Sequence, residues 1–183
     1  MLASALALQL AGAARDTPQR LLRHSALACG ALALGAGVWA MHFIGMLAFQ
    51  VCTTVAYQPA LTAASMLPSL ASAGVAMGVL ARPRLDAREL LTGGLLIGAG
   101  IGVMHYSGMA AVDTGAALRY DPAWFAASIV VAVALAVAAL WLRFGPLRFR
   151  QLRPRAANLA GGVLLGLAIS GMHYTAMSAT RFV

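Results

Sequence analysis

The 183-residue sequence has no lysine, only five carboxylates and only two cysteines. Five scattered carboxylates make no cluster for a hard cation and no dyad for acid–base work. The apolar runs also hold no nucleophile–base pair, so neither a hydrolase nor a transferase is expected. Cys29 and Cys52 form no CxxC pair for zinc or an iron–sulfur cluster. They stand 23 residues apart on what reads as one helix and its exit, which is the wrong geometry for a disulfide. Cys52 is left as an accessory soft ligand from a loop. Charged residues amount to 10%, too few for the surface of an ordinary soluble domain.

Apolar residues fill that space. They make up 61% of the chain, and the mean hydropathy is +0.82. Apolar runs of about 20 residues, enough to cross a hydrocarbon core of about 30 Å, fall at 26–49, 61–80, 90–111, 123–144 and 157–178. The opening run, MLASALALQLAGAA, would reach only about 21 Å as a helix. A signal peptide is the competing reading, but the arginines follow this run instead of preceding it. A sixth helix lacking its beginning is preferred. The expectation is an all-α, polytopic membrane bundle of about six transmembrane helices, forming one domain over residues 1–183.

The 13 basic residues are all arginine, and they are unevenly placed. Arg15, Arg20 and Arg23 follow the first segment, and Arg82, Arg84 and Arg88 follow the third. Arg143, Arg148, Arg150, Arg153 and Arg155 follow the fifth, whereas only Arg119 and Arg181 lie on the other side. The positive-inside rule places the richer side in the cytoplasm. The net charge of +8 is then topological, with anionic lipid headgroups as its natural contact. The basic loops are short and carry no interleaved aromatics, so nucleic acid is not an expected partner.

A repeat underlies this map. Tyr57–Gln58–Pro59 precedes the third segment and Tyr120–Asp121–Pro122 the fifth, and the next Met-His pairs follow those tyrosines by 47 and 52 residues. The unit is a Y-x-P entry, a plain apolar helix, a basic loop, and a Gly-rich helix ending in Met-His. Three helical hairpins in tandem result. Glycines four apart (Gly94, Gly98 and Gly102; Gly162 and Gly166), with Ala31 and Gly35 in the second segment, favour close helix approach in lipid. On that basis the three His-bearing helices are expected to form an inner cluster, with the others outside.

The clusters read WAMHFIGM (39–46), GVMHYSGM (102–109) and SGMHYTAM (170–177). Residues i and i+4 share a helix face, so His42 aligns with Met46, His105 with Met109 and His173 with Met177. Met41, Met104 and Met172 stand about 100° away. The residue three after each His is small (Gly45, Gly108, Ala176), leaving room beside an imidazole. All three clusters end inside-to-outside helices, at one depth near the outer face. Thioethers favour Cu(I), and imidazole binds copper in both oxidation states. Haem with His/His or His/Met axial ligands is the other candidate cofactor. Without a ligand, the same residues would serve as interhelical hydrogen bonds and filler. His24, among the arginines, reads as a solvated interfacial residue. Asp113 and Asp121 read as solvated loop residues, and Tyr106, Tyr174, Phe43 and the tryptophans as interfacial anchors or packing.

Three copies of M-H-[FY]-x-[GA]-M, one of them the literal Met172–His173–Tyr174–Thr175, resemble the MHYT domain of bacterial integral-membrane sensors. The resemblance covers nearly the whole chain. It implies Met/His ligands near the outer face of the bacterial inner membrane, and detection of a diatomic gas (oxygen, carbon monoxide or nitric oxide) or of redox state through copper. It also implies a cytoplasmic cyclic di-GMP signalling domain or partner outside this sequence, since the chain stops at Arg181–Phe182–Val183. An excised module and a stand-alone protein signalling through a partner both fit. A haem-binding electron-transfer protein or a copper transporter is the alternative. Ligands at a single depth, with no Met, His or acidic relay in the inner half, argue against a transport pathway.

Overall fold

The computed structural model describes residues 1–48, 55–144 and 154–183. In chain order it comprises α1 (Leu2–Asp16), α2 (Arg20–Ala48), β1 (Ala56–Tyr57), α3 (Pro59–Ala64), α4 (Met66–Leu80), α5 (Ala87–Met109), β2 (Val112–Asp113), β3 (Leu118–Tyr120), α6 (Pro122–Phe144), α7 (Pro154–Met177) and β4 (Thr180–Phe182). Each of the five expected spans is helical over most of its described residues. A 23-residue helix such as α5 or α6 is about 34 Å long, enough to cross a bilayer. α3 and α4 are two parts of one span, Pro59–Leu80. The break at Ser65 has a local cause: Pro68 has no N–H for the carbonyl of Ala64, four residues earlier, and its ring crowds that group. At the start of α5, Asp86 accepts a bond from the Glu89 amide while Glu89 reaches back to the Asp86 amide, a capping box. The opening run forms α1, 15 residues long, with Ala5, Ala7, Ala11 and Ala14 buried against the bundle.

The helices form a closed ring in the order α1, α2, α3/α4, α5, α6, α7, with α7 returning to α1. Every helix puts large apolar side chains on the outside, for example Leu6, Leu32, Leu67, Leu95, Val130 and Leu167. A continuous apolar belt of this kind faces lipid. The inner-cluster expectation is thereby corrected. The His-bearing helices α2, α5 and α7 alternate with the others around the ring and barely touch one another along their length.

The glycines do bring backbones together, but across the ring's neighbours. A Cβ built on Gly35 would lie 3.0 Å from Leu70 Cα in α4, one on Gly98 only 2.6 Å from Val133 Cα in α6, and one on Gly166 3.2 Å from Met1 Cα at the start of α1. Each His helix therefore takes the first helix of the next hairpin into its glycine groove, and the third hairpin takes the first. The result is a cyclic, threefold arrangement built from a tandem repeat.

Two antiparallel ribbons tie the hairpins at their histidine end. β1 pairs with β2 and β3 with β4, so the strand entering a hairpin meets the strand leaving it. The Gln58 amide donates to the Ala111 carbonyl, and the Asp121 amide donates equivalently to that of Ala179, both at 2.9 Å. Asp121 also caps α6 and pairs with Arg181 at 2.9 Å, a more engaged role than the solvated one expected. Arg148, Arg150 and Cys52 lie outside the described residues, as does Arg153.

Candidate metal centre

His42, His105 and His173 come together although 63 and 68 residues separate them in the chain. They sit six, four and four residues from the ends of α2, α5 and α7. All three rings are buried and touch edge to face, with centroids 4.9 Å apart for His42–His105 and 5.2 Å for each of the other pairs. One nitrogen from each ring can be chosen so that all lie within 4.8 Å of one another.

Hydrogen bonding leaves this cluster incomplete. The Nδ1 atoms of His42 and His173 are 3.3 Å apart, so one donates its N–H to the other. His42 Nε2 and both nitrogens of His105 are buried with no partner. Unpaired polar atoms in an apolar interior cost about 1–3 kcal/mol each. Three such nitrogens on two of the three repeat-equivalent histidines, His42 and His105, mark a cluster that a ligand would complete.

The glycines three residues after the histidines explain the convergence. A Cβ on Gly45 would lie 2.7 Å from Nε2 of His173, and one on Gly108 would collide with Nε2 of His42. Each glycine thus makes room for the imidazole of a neighbouring His helix, not for the imidazole on its own helix. The cradles run cyclically, α2 for α7 and α5 for α2. In the third, Ala176 of α7 is fully buried.

The donor set fits a small soft or borderline cation. Two nitrogens on an ion about 2.0–2.1 Å away would be about 3.3–3.6 Å apart in a tetrahedral or trigonal shell, and the Nδ1 pair already has such a spacing. Three helix carboxyl ends converge here, each worth about half a negative charge, which favours a cation further. Pattern reading along the sequence missed this term, although the position of the motif at each helix end contained it.

Of the six motif methionines, Met46, Met104, Met109 and Met172 are buried, and Met41 and Met177 are half-buried. Met104 packs in the main apolar core with Leu34, Val38 and Ile97, and Met41 packs against that core. Met172 packs with Ala132 and Ala176. His24 is apart and exposed, its ring donating to the Arg20 carbonyl.

Around the imidazoles lies an aromatic and hydroxyl collar. Phe43 meets Tyr57 edge to face and Tyr106 meets Tyr120 in the same way, at the same chain interval of 14 residues. The Tyr106 hydroxyl bonds Ser128 at 2.6 Å. Phe43 has no hydroxyl, and the equivalent Ser65 instead receives the Trp39 indole N–H at 3.1 Å. Tyr106 and Trp39 are therefore structural partners of the ring, whereas Tyr174, at 65% exposure, keeps the interfacial role.

Residues 35–93 and 98–161 match, as two successive repeats, the family described as MHYT, bacterial signalling protein N terminal repeat. The chain belongs to the MHYT family. The two matches begin 63 residues apart, the interval from His42 to His105. Among relatives, the bifunctional diguanylate cyclase/cyclic di-GMP phosphodiesterase MucR of Pseudomonas aeruginosa is 41% identical over 84% of this chain and 22% of its own length. The cyclic di-GMP phosphodiesterase NbdA of the same organism is 39% identical over 82% of this chain and 19% of its own. The signaling protein YkoW of Bacillus subtilis is 34% identical over 84% and 19%. The chain thus spans about a fifth of the length of these relatives. No solved structure matches it. MHYT repeats are signalling modules of membrane sensor proteins, and the five long apolar helices accord with that setting.

Proposed function

We propose that this MHYT module, residues 1–183, is a non-enzymatic detector that binds copper through His42, His105 and His173. Met46, Met109 and Met177, with Met41, Met104 and Met172 beside them, form its thioether surround. The observation that carries the reading is the buried imidazole triad with three unpartnered nitrogens. Bound copper would supply a centre with two accessible oxidation states and an affinity for oxygen, carbon monoxide or nitric oxide. The chain's own residues hold the ion at three helix ends, exclude water with the buried methionines, and transmit a change in ligand spacing to the ring. A bare ion suits the site better than haem, because the three rings already touch and leave no gap for a macrocycle.

In this reading the arginine-rich loops face the cytoplasm of a bacterium and the histidine end lies near the outer face of its inner membrane. The output is cyclic di-GMP turnover in a domain or partner outside these residues, by analogy with the activities named for MucR and NbdA. The test is Cu(I) reconstitution of the detergent-purified chain, followed by elemental analysis. Wild type and His24→Ala should retain about one copper per chain, and the His42/His105/His173 triple alanine variant none. Equal retention in the triple variant, or none in wild type, would refute the assignment.

A further inference from the structure

The three histidines are equivalent in the repeat but not in their surroundings. Their rings are nearly evenly spaced, with centroids 4.9, 5.2 and 5.2 Å apart. The nitrogens are not. His42 and His173 bring Nδ1 to within 3.3 Å of Nδ1, whereas neither nitrogen of His105 has a hydrogen-bond partner among the described residues. From this asymmetry we infer that the metal centre is a two-plus-one set, with His42 and His173 as the fixed ligands and His105 as the loose one. The division rests on the copper reading above and names the ligand that can yield. One nitrogen from each ring, His105 included, can be gathered only within 4.8 Å, a wider limit than the about 3.3–3.6 Å of a compact shell.

The cradles account for the division. His173 Nε2 lies 2.7 Å from a Cβ built on Gly45, and His42 Nε2 lies 2.4 Å from one built on Gly108, closer than a real Cβ would allow. The same cyclic order gives His105 not a glycine but Ala176 of α7. Ala176 is fully buried and clusters with Met172 and with Ile101 and Tyr106, which stand on either side of His105 in α5. At an ordinary contact of 3.4 Å, a methyl holds an imidazole about 0.7–1.0 Å further out than the glycines do, the differences from 2.7 and 2.4 Å. Backbone spacing agrees, because α2 comes close to both α5 and α7 at single points, while α5 and α7 approach each other least. Coordination tolerates only about 0.2 Å, so an ion seated on the fixed pair leaves His105 at long range. The Ala176 methyl is therefore a positioning group that sets how firmly His105 binds.

The experiment loads the detergent-purified full chain with Cu(I), measures affinity by competition with a chromophoric chelator, and counts the imidazoles around copper by X-ray absorption. His42→Ala and His173→Ala should each weaken binding by about 100-fold or more, at or beyond the limit for groups that only orient ligands, and His105→Ala by about tenfold at most. The wild-type spectrum should show two short imidazole distances, unchanged in His105→Ala. Ala176→Gly should tighten binding several-fold and raise the count to three, although glycine there cannot stabilise the helix. A methyl with a merely structural role would not move that count, so an unchanged count in Ala176→Gly would overturn the methyl as the cause. Equal losses in the three single variants, or three equal imidazole distances in wild type, would overturn the division and leave the copper reading standing. Wild type that takes up no copper would overturn both. Should an alanine variant lose its helical circular dichroism, leucine at the same position keeps a comparable volume without a ligand. The same order of affinities must then hold, and its loss would refute the division.

Discussion

Gly45→Ala tests the cradle that positions the triad. The new Cβ would lie 2.7 Å from His173 Nε2, 3.3 Å from Cδ2 and 3.4 Å from Cε1. To restore an ordinary 3.4 Å contact the imidazole must retreat by about 0.7 Å, the difference between those distances. Ligand positions tolerate only about 0.2 Å, so the displaced ring would fall outside coordination range. The fold should suffer less. Overpacking by one methyl costs about 1–3 kcal/mol, partly offset by the gain of about 1 kcal/mol when alanine replaces glycine in a helix. The expected result is a bundle that melts within a few degrees of wild type but binds Cu(I) about 10- to 100-fold more weakly, the range for groups that orient metal ligands. Competition against a chromophoric Cu(I) chelator measures the affinity, and thermal circular dichroism the stability. Gly74→Ala is the control, because nothing lies within 4 Å of its added methyl. Wild-type affinity in Gly45→Ala would show that His173 does not depend on this cradle. An affinity loss no larger than the loss of stability would make the effect one of folding alone.

Gly98→Val should lower stability by ~3 kcal/mol, because its Cβ meets the Val133 backbone, which cannot rotate away, and Gly78→Ala should not; detergent melting curves compare them. Ser128→Ala should cost about 1 kcal/mol in the same assay by stranding the Tyr106 hydroxyl. Ser65→Ala should cost less, since the Trp39 N–H keeps the Thr62 carbonyl at 3.1 Å; equal losses would count against the compensation argued between the two repeats. Tyr120 predicts an alkaline limb. Burial, then neighbouring Tyr106, pushes its hydroxyl up to about 12 from 10.0. A raised folded-state value gives stability that is complete below pH 10 and lost as the pH rises toward 12. The melting temperature should fall through that window in wild type and fall less in Tyr120→Phe.

The extent of the spans and the repeat were legible in the sequence because apolar length and motif spacing are local signals. Expected span 123–144 and observed Pro122–Phe144 differ by one residue. The ring was not legible. A glycine stripe says that a backbone comes close but not whose, and three Gly-rich helices looked like mutual partners. In fact Gly98 needs Val133 and Gly35 needs Leu70, both on plain apolar helices of the following hairpin. The ribbons were missed because strands of two or three residues carry no alternation to detect. One available signal was overlooked: Ser65 and Ser128 stand 63 residues apart, the histidine interval, and both are buried at the collar.

The cyclic cradle gives the proposed detector a mechanical basis. If each imidazole rested only against its own helix, a change at the metal would be absorbed by side-chain rotation. Here His173 is wedged against the α2 backbone at Gly45, and His42 against the α5 backbone at Gly108. A ring shift of a few tenths of an ångström must therefore separate two helices or turn one of them. Those helices are locked by backbone contact at Gly35, Gly98 and Gly166 to the next hairpin, so the displacement passes around the ring. Close-packed interfaces switch between discrete packings more readily than they deform continuously. A ligand that binds two such packings with unequal affinity shifts their populations by that difference and no more. The glycines at the histidines and those along the grooves thus act in series. Enlarging a cradle glycine should weaken metal binding about 10- to 100-fold, whereas enlarging a groove glycine such as Gly35 should spare the triad and impair its coupling to the arginine-bearing end.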